Sequence, residues 1–269
     1  MTPRQVAGRL EISVATLYRY EGGQVSLRAV EVENMCRLYG ASAEMTEALM
    51  GLARETKARG WWHAYGDAIP RWFQVYVGLE TSASRLRKFE PDLIPGLLQT
   101  KDYATAVLRL DDVKTSAEEI EKRVTVRLER QGLLFRRLPP APQLDVILGE
   151  VALRRSLDDQ GAMAEQLRHV NEIGQLGNVT IRVLPLSVGL YRGAGVSAFT
   201  ILEFPSNGSG RETEPPTVYA GSLTGALYLD RSNEVSAYDS MWTDVTTLAL
   251  DETQSRQMIG EIAEEYGGS

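Results

Sequence analysis

The residues best placed to do chemistry lie near the start of the chain, and their types suit reading a nucleic acid rather than transforming a substrate. In TPRQVAGRLEISVATLYRYEGG, Thr2–Gly23, apolar residues recur at Val6, Leu10, Ile12, Leu17 and Tyr20. That spacing predicts one short helix ending near Leu10 and a second beginning after Ser13. Thr2 followed by Pro3 forms an N-cap and the favoured first helical position, Ser13 caps the second helix, and Ala7 is small where the two must cross closely. Val14, Ala15, Thr16, Tyr18 and Arg19 then fall on the side of the second helix away from its apolar anchors, the side a recognition helix offers to the major groove. Arg19 is the only long donor in that set; it can span a guanine with two N–H groups, the alternatives being a phosphate contact or an ion pair with Glu21. Val14 and Ala15 can touch thymine methyls, and Ser13 and Thr16 are short enough to suit phosphates.

A second candidate set lies further on. Arg127 and Arg130 ride on an amphipathic segment with Ile120, Val124 and Leu128 on one face, and Glu90 and Glu150 are carboxylates able to pair with them. Two readings stay open: an effector-binding set holding an anion, or helix arginines that are solvated or paired with carboxylates. Catalytic templates are not met. The sequence lacks GxSxG, a phosphate-cradling glycine loop running into a helix, and paired Cys or His at ligand spacing. GLYRGAG, residues 189–195, reads as a bend between strands, and Asp111-Asp112 and Glu118-Glu119 as ordinary solvated or helix-start charges. His63 and His169 without paired cysteines predict no zinc site, and no cofactor is expected. Cys36, the single cysteine, reads as a buried small hydrophobe.

The residues Ala7, Ile12, Ser13, Thr16, Leu17, Arg19, Glu21 and Gly23 carry a resemblance to the Cro/Xre-type repressor helix-turn-helix, over roughly the first fifth of the chain. The chain departs from that pattern at Pro3, where the family has a phosphate-gripping Gln, and at Glu11, where it has a turn Gly. The resemblance implies a further helix before this pair, carrying an arginine that pairs with the glutamate at Glu21. With the chain opening at Met1, the head is expected to lack both. A second resemblance rests on WWHAYGD, YVGLE, FEPDLIPGLLQT, DYA, RLERQ, LGEVALRR, VLPLS and YAGSLTGALYLD in that order. These blocks resemble the C-terminal domain of WhiJ-type actinobacterial regulators, a domain with no assigned activity found in antitoxin-like members of two-gene modules. The resemblance implies a DNA-binding transcriptional regulator acting on double-stranded DNA, with a possible small partner protein encoded nearby.

These residues must be positioned by a larger framework. The 269 residues with 43% apolar content suffice for two cores. Charge is uneven: the net is +1 over residues 1–60, +2 over 61–140 and −10 over 141–269. A neutral-to-basic head on an acidic body fits specific binding better than indiscriminate coating of nucleic acid. No apolar run reaches membrane-spanning length and no signal-peptide pattern opens the chain, so a cytoplasmic protein with no membrane contact is expected.

Helices are expected over Ser26–Tyr39, ended by Gly40, and over Ala43–Arg59, completing a helix-turn-helix domain of residues 1–60. Trp61, Trp62 and Trp72 cluster after a boundary near Gly60, where docking or dimer contact is a better reading than base stacking. Residues 61–269 form the second domain, for sensing a small molecule or binding a partner protein. It should hold helices from about Pro70 to near Arg85, from a Thr100 cap, and from Ser116 to about Arg137. Strands QLDVILG, VTIRVLP, SAFTILEF, TVYAG and ALYLD follow, with a helix Ala162–Gln175 between the first two, a mobile loop 206–216, and two final helices, about Asn233–Leu248 and Gln254–Tyr266. The fold class is α+β: a small all-α head, then helices around one mixed β-sheet. The functional expectation is a homodimeric, antitoxin-like regulator. The alternatives are a protein-interaction module with a vestigial DNA-binding head, or an enzyme housed in the sheet domain.

Overall fold

The computed structural model describes residues 2–10, 12–21, 27, 29–43, 45–47, 49–50, 71–111, 115–206, 214–222 and 225–268. The chain divides into two compact units, Met1–Gly66 and Asp67–Ser269. The expected boundary at Gly60, with Trp61, Trp62 and His63, lies outside the described residues.

The first unit contains α1 (Pro3–Arg9), α2 (Val14–Glu21) and α3 (Ala29–Tyr39). Thr2 closes a capping box on α1: its hydroxyl accepts from Gln5 N–H while Gln5 Oε1 accepts from Thr2 N–H at 2.9 Å. The turn is closed by Ile12 N–H donating to Ala7 O at 3.0 Å. Val6, Ala7 and Leu17 are buried, and Leu10, Ile12, Val14, Met35 and Leu38 pack around them. Ala7 thus sits in the crossing, as its size requires. Gly40 ends α3 with φ +73, the left-handed region that a side chain disfavours. The Ser26 cap lies outside the described residues, and of the helix expected from Ala43 only residues 43, 45–47 and 49–50 are described, all helical. Cys36 is buried and free.

The second unit is built on a six-stranded sheet in the order β3-β2-β1-β4-β5-β6, where β1 is Arg85–Glu90, β2 Gln143–Gly149, β3 Val179–Leu184, β4 Phe199–Glu203, β5 Thr217–Ser222 and β6 Gly225–Leu229. β1, β2 and β3 run parallel, whereas β4 is antiparallel to β1 and β4–β5–β6 form an antiparallel meander. Leu86, Leu144, Val146, Leu148, Ile181 and Leu202 face one helical layer. That layer holds α4 (Arg71–Ser82), α5 (Lys101–Asp111), α6 (Ala117–Arg130), α8 (Gln160–Ile173) and α10 (Glu252–Gly267), with the short α7 (Glu150–Arg154) at the end of β2. Phe89, Ile147, Phe199, Ile201 and Val218 face the other side, covered by Val235, Met241, Trp242 and Val245 of α9 (Ser232–Leu248). The mixed sheet follows the expected alternation, with the β2–α8–β3 segment supplying a parallel pair.

Two elements differ from expectation. RLRKFE is β1, although its four charges read as the end of a helix and a turn-rich passage. It is a strand because its charges find partners: Arg87 meets Glu203 and Asp239, each at 2.6 Å, while Leu86 and Phe89 are fully buried. α6 stops at Arg130 rather than near Arg137, since the chain tightens into a 3-10 turn over Gln131–Leu134 that contains Gly132. Most of the 206–216 loop lies outside the described residues. Gly189 and Gly193, with φ +70 and +93, give the 189–195 segment its bend.

Candidate functional site

In the first unit the site is the outer side of α2. Ser13 caps it, accepting from Thr16 N–H at 3.0 Å with the Thr16 hydroxyl 2.8 Å away, so both hydroxyls are engaged in starting the helix. Ser13, Ala15 and Tyr18 are exposed, Tyr18 at 57%. Val14 differs from its expected place: it is half-buried against Val6, Ala7 and Leu17, because the first residue of α2 closes over the crossing. The backbone of Arg19 lies in α2 beside Tyr18, and its side chain falls outside what is described. At the far end of α2, Glu21 accepts a hydrogen bond from the Tyr39 hydroxyl of α3. That phenol is pushed up to about 12, by burial first and then by the Glu21 carboxylate. The resemblance implies an arginine partner for Glu21 on a preceding helix; among the described residues Glu21 is met by Tyr39 of the following one.

In the second unit the four acid and base residues fall into separate pairings. Arg130, on α6, is buried and makes a two-point contact with Glu80 of α4, Nε to Oε2 at 3.0 Å and Nη2 to Oε1 at 2.9 Å. Its guanidinium also lies over Phe73 and Tyr76, 4.9 and 5.6 Å from their centroids. Glu150 pairs with neither Arg127 nor Arg130. It accepts from Arg154 Nε at 2.6 Å and from Leu186 N–H at 2.8 Å. Burial would push its carboxyl up, but those two donors prevail and hold it below the usual range. Arg127 donates to Gln99 Oε1 at 2.8 Å.

Glu90 is the unusual member of the set. It ends β1 with its side chain 17% exposed, and the nearest cation among the described residues is Lys88 Nζ at 3.8 Å, beyond hydrogen-bonding range. Burial raises its carboxyl to about 7, with the charges of Lys88 and Arg127 pulling in the other direction. Lys88 itself is buried, donating to Tyr76 Oη at 2.9 Å and Thr200 Oγ1 at 2.8 Å, and the Tyr76 hydroxyl in turn donates to Glu80 Oε1 at 2.7 Å. Lys88, Tyr76, Thr200, Glu80 and Arg130 therefore form one buried polar chain joining α4, α6, β1 and β4. Sequence reasoning missed Glu80 and Lys88. The signal for both was the strand hidden in RLRKFE, since a lysine facing the core of a central strand requires a buried acceptor.

The passage after β1 is tied down by amides. Gln99 Nε2 reaches Ile94 O at 2.6 Å, and Gln131 Nε2 reaches Gln99 O at 2.6 Å. Gln166 of α8 accepts from Thr100 N–H at 2.7 Å at the start of α5. Gly149 lets the chain leaving β1 pass the end of β2, since a Cβ there would lie 2.4 Å from Pro91 O. Among the described residues no group of three or more His, Cys, Asp and Glu side chains is arranged to hold a metal ion, and no helix is long and apolar enough to cross a membrane.

Comparison with known families divides the chain in a similar way. Residues 1–49 match a helix-turn-helix domain, and residues 73–261 match a family described as a domain of unknown function, DUF5753. No curated protein and no solved structure matched the chain. The second match spans well over half of the sequence, and the chain accordingly belongs to the DUF5753 family, with a helix-turn-helix domain at its N-terminal end.

Proposed function

We propose that this protein is a sequence-specific transcriptional regulator that binds double-stranded DNA through α2 as a homodimer. We infer further that it is an antitoxin-like member of the WhiJ-type group. The observation that carries the reading is the capped α1–turn–α2 pair, which buries Leu17 and leaves Ser13, Ala15 and Tyr18 exposed on the outer side of α2. A helix of that length reads few base pairs, so useful specificity calls for two heads on half-sites about one helical turn apart.

The second unit is the regulatory part in this reading, responding to a small molecule or a partner protein. Glu90 is the residue we assign to that response. A mostly buried carboxylate that accepts no hydrogen bond among the described residues, with Lys88 Nζ 3.8 Å away, has acceptor capacity to offer an incoming group.

The test is selection of duplexes from a random pool by the full chain at about 100 mM salt, followed by gel shift on the enriched sequence. Enrichment of a site with two-fold symmetry is expected. Failure to enrich any sequence, with binding that only tracks ionic strength, refutes the reading.

A further inference from the structure

α2 has eight residues, two turns, too few for its own hydrogen bonds to hold its direction. What fixes its orientation is where it is pinned. Its N-terminal end is held by the Ser13 cap, by the Ile12 N–H to Ala7 O bond in the turn, and by Val14 against the core. Its middle is held by Leu17, 1% exposed. The C-terminal end carries Glu21, whose charge is opposed by the helix dipole at that position. There Tyr39 Oη donates to Glu21 Oε1 across eighteen residues of sequence.

We propose that Tyr39 is a positioning residue for DNA recognition, its hydroxyl clamping the C-terminal end of the recognition helix to α3. The inference rests on the DNA-binding reading above. The clamp has a firm base, because Met35 and Leu38 pack the end of α3 against the head's core and Cys36 between them is buried. Gly40 then ends that helix in a left-handed turn closed by Ala41 N–H to Cys36 O. Without the hydroxyl, α2 is free to pivot about Leu17, and Tyr18 and Arg19, one turn or less from the freed end, move most. Tyr18 is a long, exposed side chain on the recognition surface, so the pivot degrades base reading more than it degrades attraction to phosphates. The phenol keeps its proton throughout the neutral range, so its hydroxyl remains a donor there.

The experiment uses the full chain and two labelled duplexes, one enriched by the parent protein from a random pool and one of scrambled sequence, followed by fluorescence anisotropy at about 100 mM salt. Tyr39→Phe is expected to weaken the enriched duplex roughly five- to tenfold and the scrambled one less than about twofold, with an unchanged melting curve. Glu21→Ala should match it, the double variant should lose no more than either single one, and Glu21→Gln, which keeps an acceptor oxygen, should recover most of the loss. Equal losses on both duplexes, additive losses, or no loss from Tyr39→Phe overturn the inference while leaving the DNA-binding reading intact. If Tyr39→Phe lowers the melting curve, the Glu21→Ala and Glu21→Gln comparison decides on its own. If the parent enriches no duplex, the DNA-binding reading and this inference fall together.

Discussion

Replacing Glu90 by glutamine keeps the shape of the side chain and removes its ionisation, which makes it a sensitive probe of the charge cluster at the end of β1. Burial raises that carboxyl from 4.5 to about 7 against the pull of Lys88 and Arg127. The folded protein therefore holds this proton more tightly than the unfolded chain does. The resulting stability is complete below pH 4.5 and is lost as pH rises through about 7. At 1.36 kcal/mol per pH unit, the difference between the two states is roughly 3 kcal/mol. With only 17% of the side chain exposed, little of that is screened by solvent. The Glu90→Gln variant has no such loss, so its stability relative to the parent should improve by about 2–3 kcal/mol between pH 5 and pH 8. For a unit of this size the gain corresponds to roughly 5–10 °C in melting temperature. Thermal unfolding followed by circular dichroism at intervals from pH 5 to pH 8 measures it directly. Two curves that keep a constant offset across that range would show that Glu90 ionises as an ordinary surface carboxylate, and the argument from burial would fail.

Arg19→Ala should cost roughly 1–3 kcal/mol on the enriched duplex with little change in stability, the loss concentrating at one guanine when operator variants are compared; a uniform loss with a shallower salt slope would assign Arg19 to phosphate instead. Arg130→Met leaves the Glu80 carboxylate buried without its two-point partner and should destabilise the second unit by about 3–5 kcal/mol in denaturant unfolding, whereas Glu80→Leu with Arg130→Met should lie closer to the parent. Losses that simply add would show that the two side chains do not act as a pair. Gly149→Ala forces a Cβ to 2.4 Å from Pro91 O, and a cost of at least about 1–3 kcal/mol in the same assay is expected; an unchanged midpoint would mean that the chain leaving β1 shifts freely.

Much of the fold was legible where a local signal has a single physical meaning. The caps at Thr2, Ser13 and Ser116 bond to the N–H groups they were expected to serve, and Gly40 ends α3 in the conformation only glycine adopts easily. β2 to β6 are β-branched or aromatic runs between breakers, and they form strands with close to the expected limits. Illegible were features settled by residues distant in sequence. β1 looks too charged for the middle of a sheet until Glu203, Asp239, Thr200 and Tyr76 are brought to it from elsewhere in the chain. The same holds for Arg130, whose partner Glu80 is fifty residues away, and for Glu21, which finds Tyr39 on α3. A hydrophobic pattern marks burial only of apolar residues; a buried ion pair leaves no periodic trace.

The charges that hid β1 also bear on why that strand is built this way. A buried pair such as Glu80 and Arg130 gains little over well-packed apolar side chains of similar volume, because desolvating both ions offsets most of their attraction. Its effect is expected on uniqueness more than on stability. α4 carries the acceptor that Arg130 uses, and Tyr76, on the same helix, stands one turn before Glu80 to receive Lys88. A helix without these acceptors would leave Arg130 buried without its two-point partner and Lys88 with Thr200 alone, at a cost of several kcal/mol. The network thus selects which helix covers β1 and in what register. It also leaves Glu90 as the one carboxylate of this cluster without a hydrogen bond among the described residues, at the end of the strand where the parallel and antiparallel halves of the sheet meet. The double substitution Glu80→Leu with Arg130→Met separates the two roles: it should retain stability yet broaden the native-state NMR spectrum, as α4 loses its unique seat. A spectrum as sharp as the parent's would mean that apolar packing alone specifies the helix.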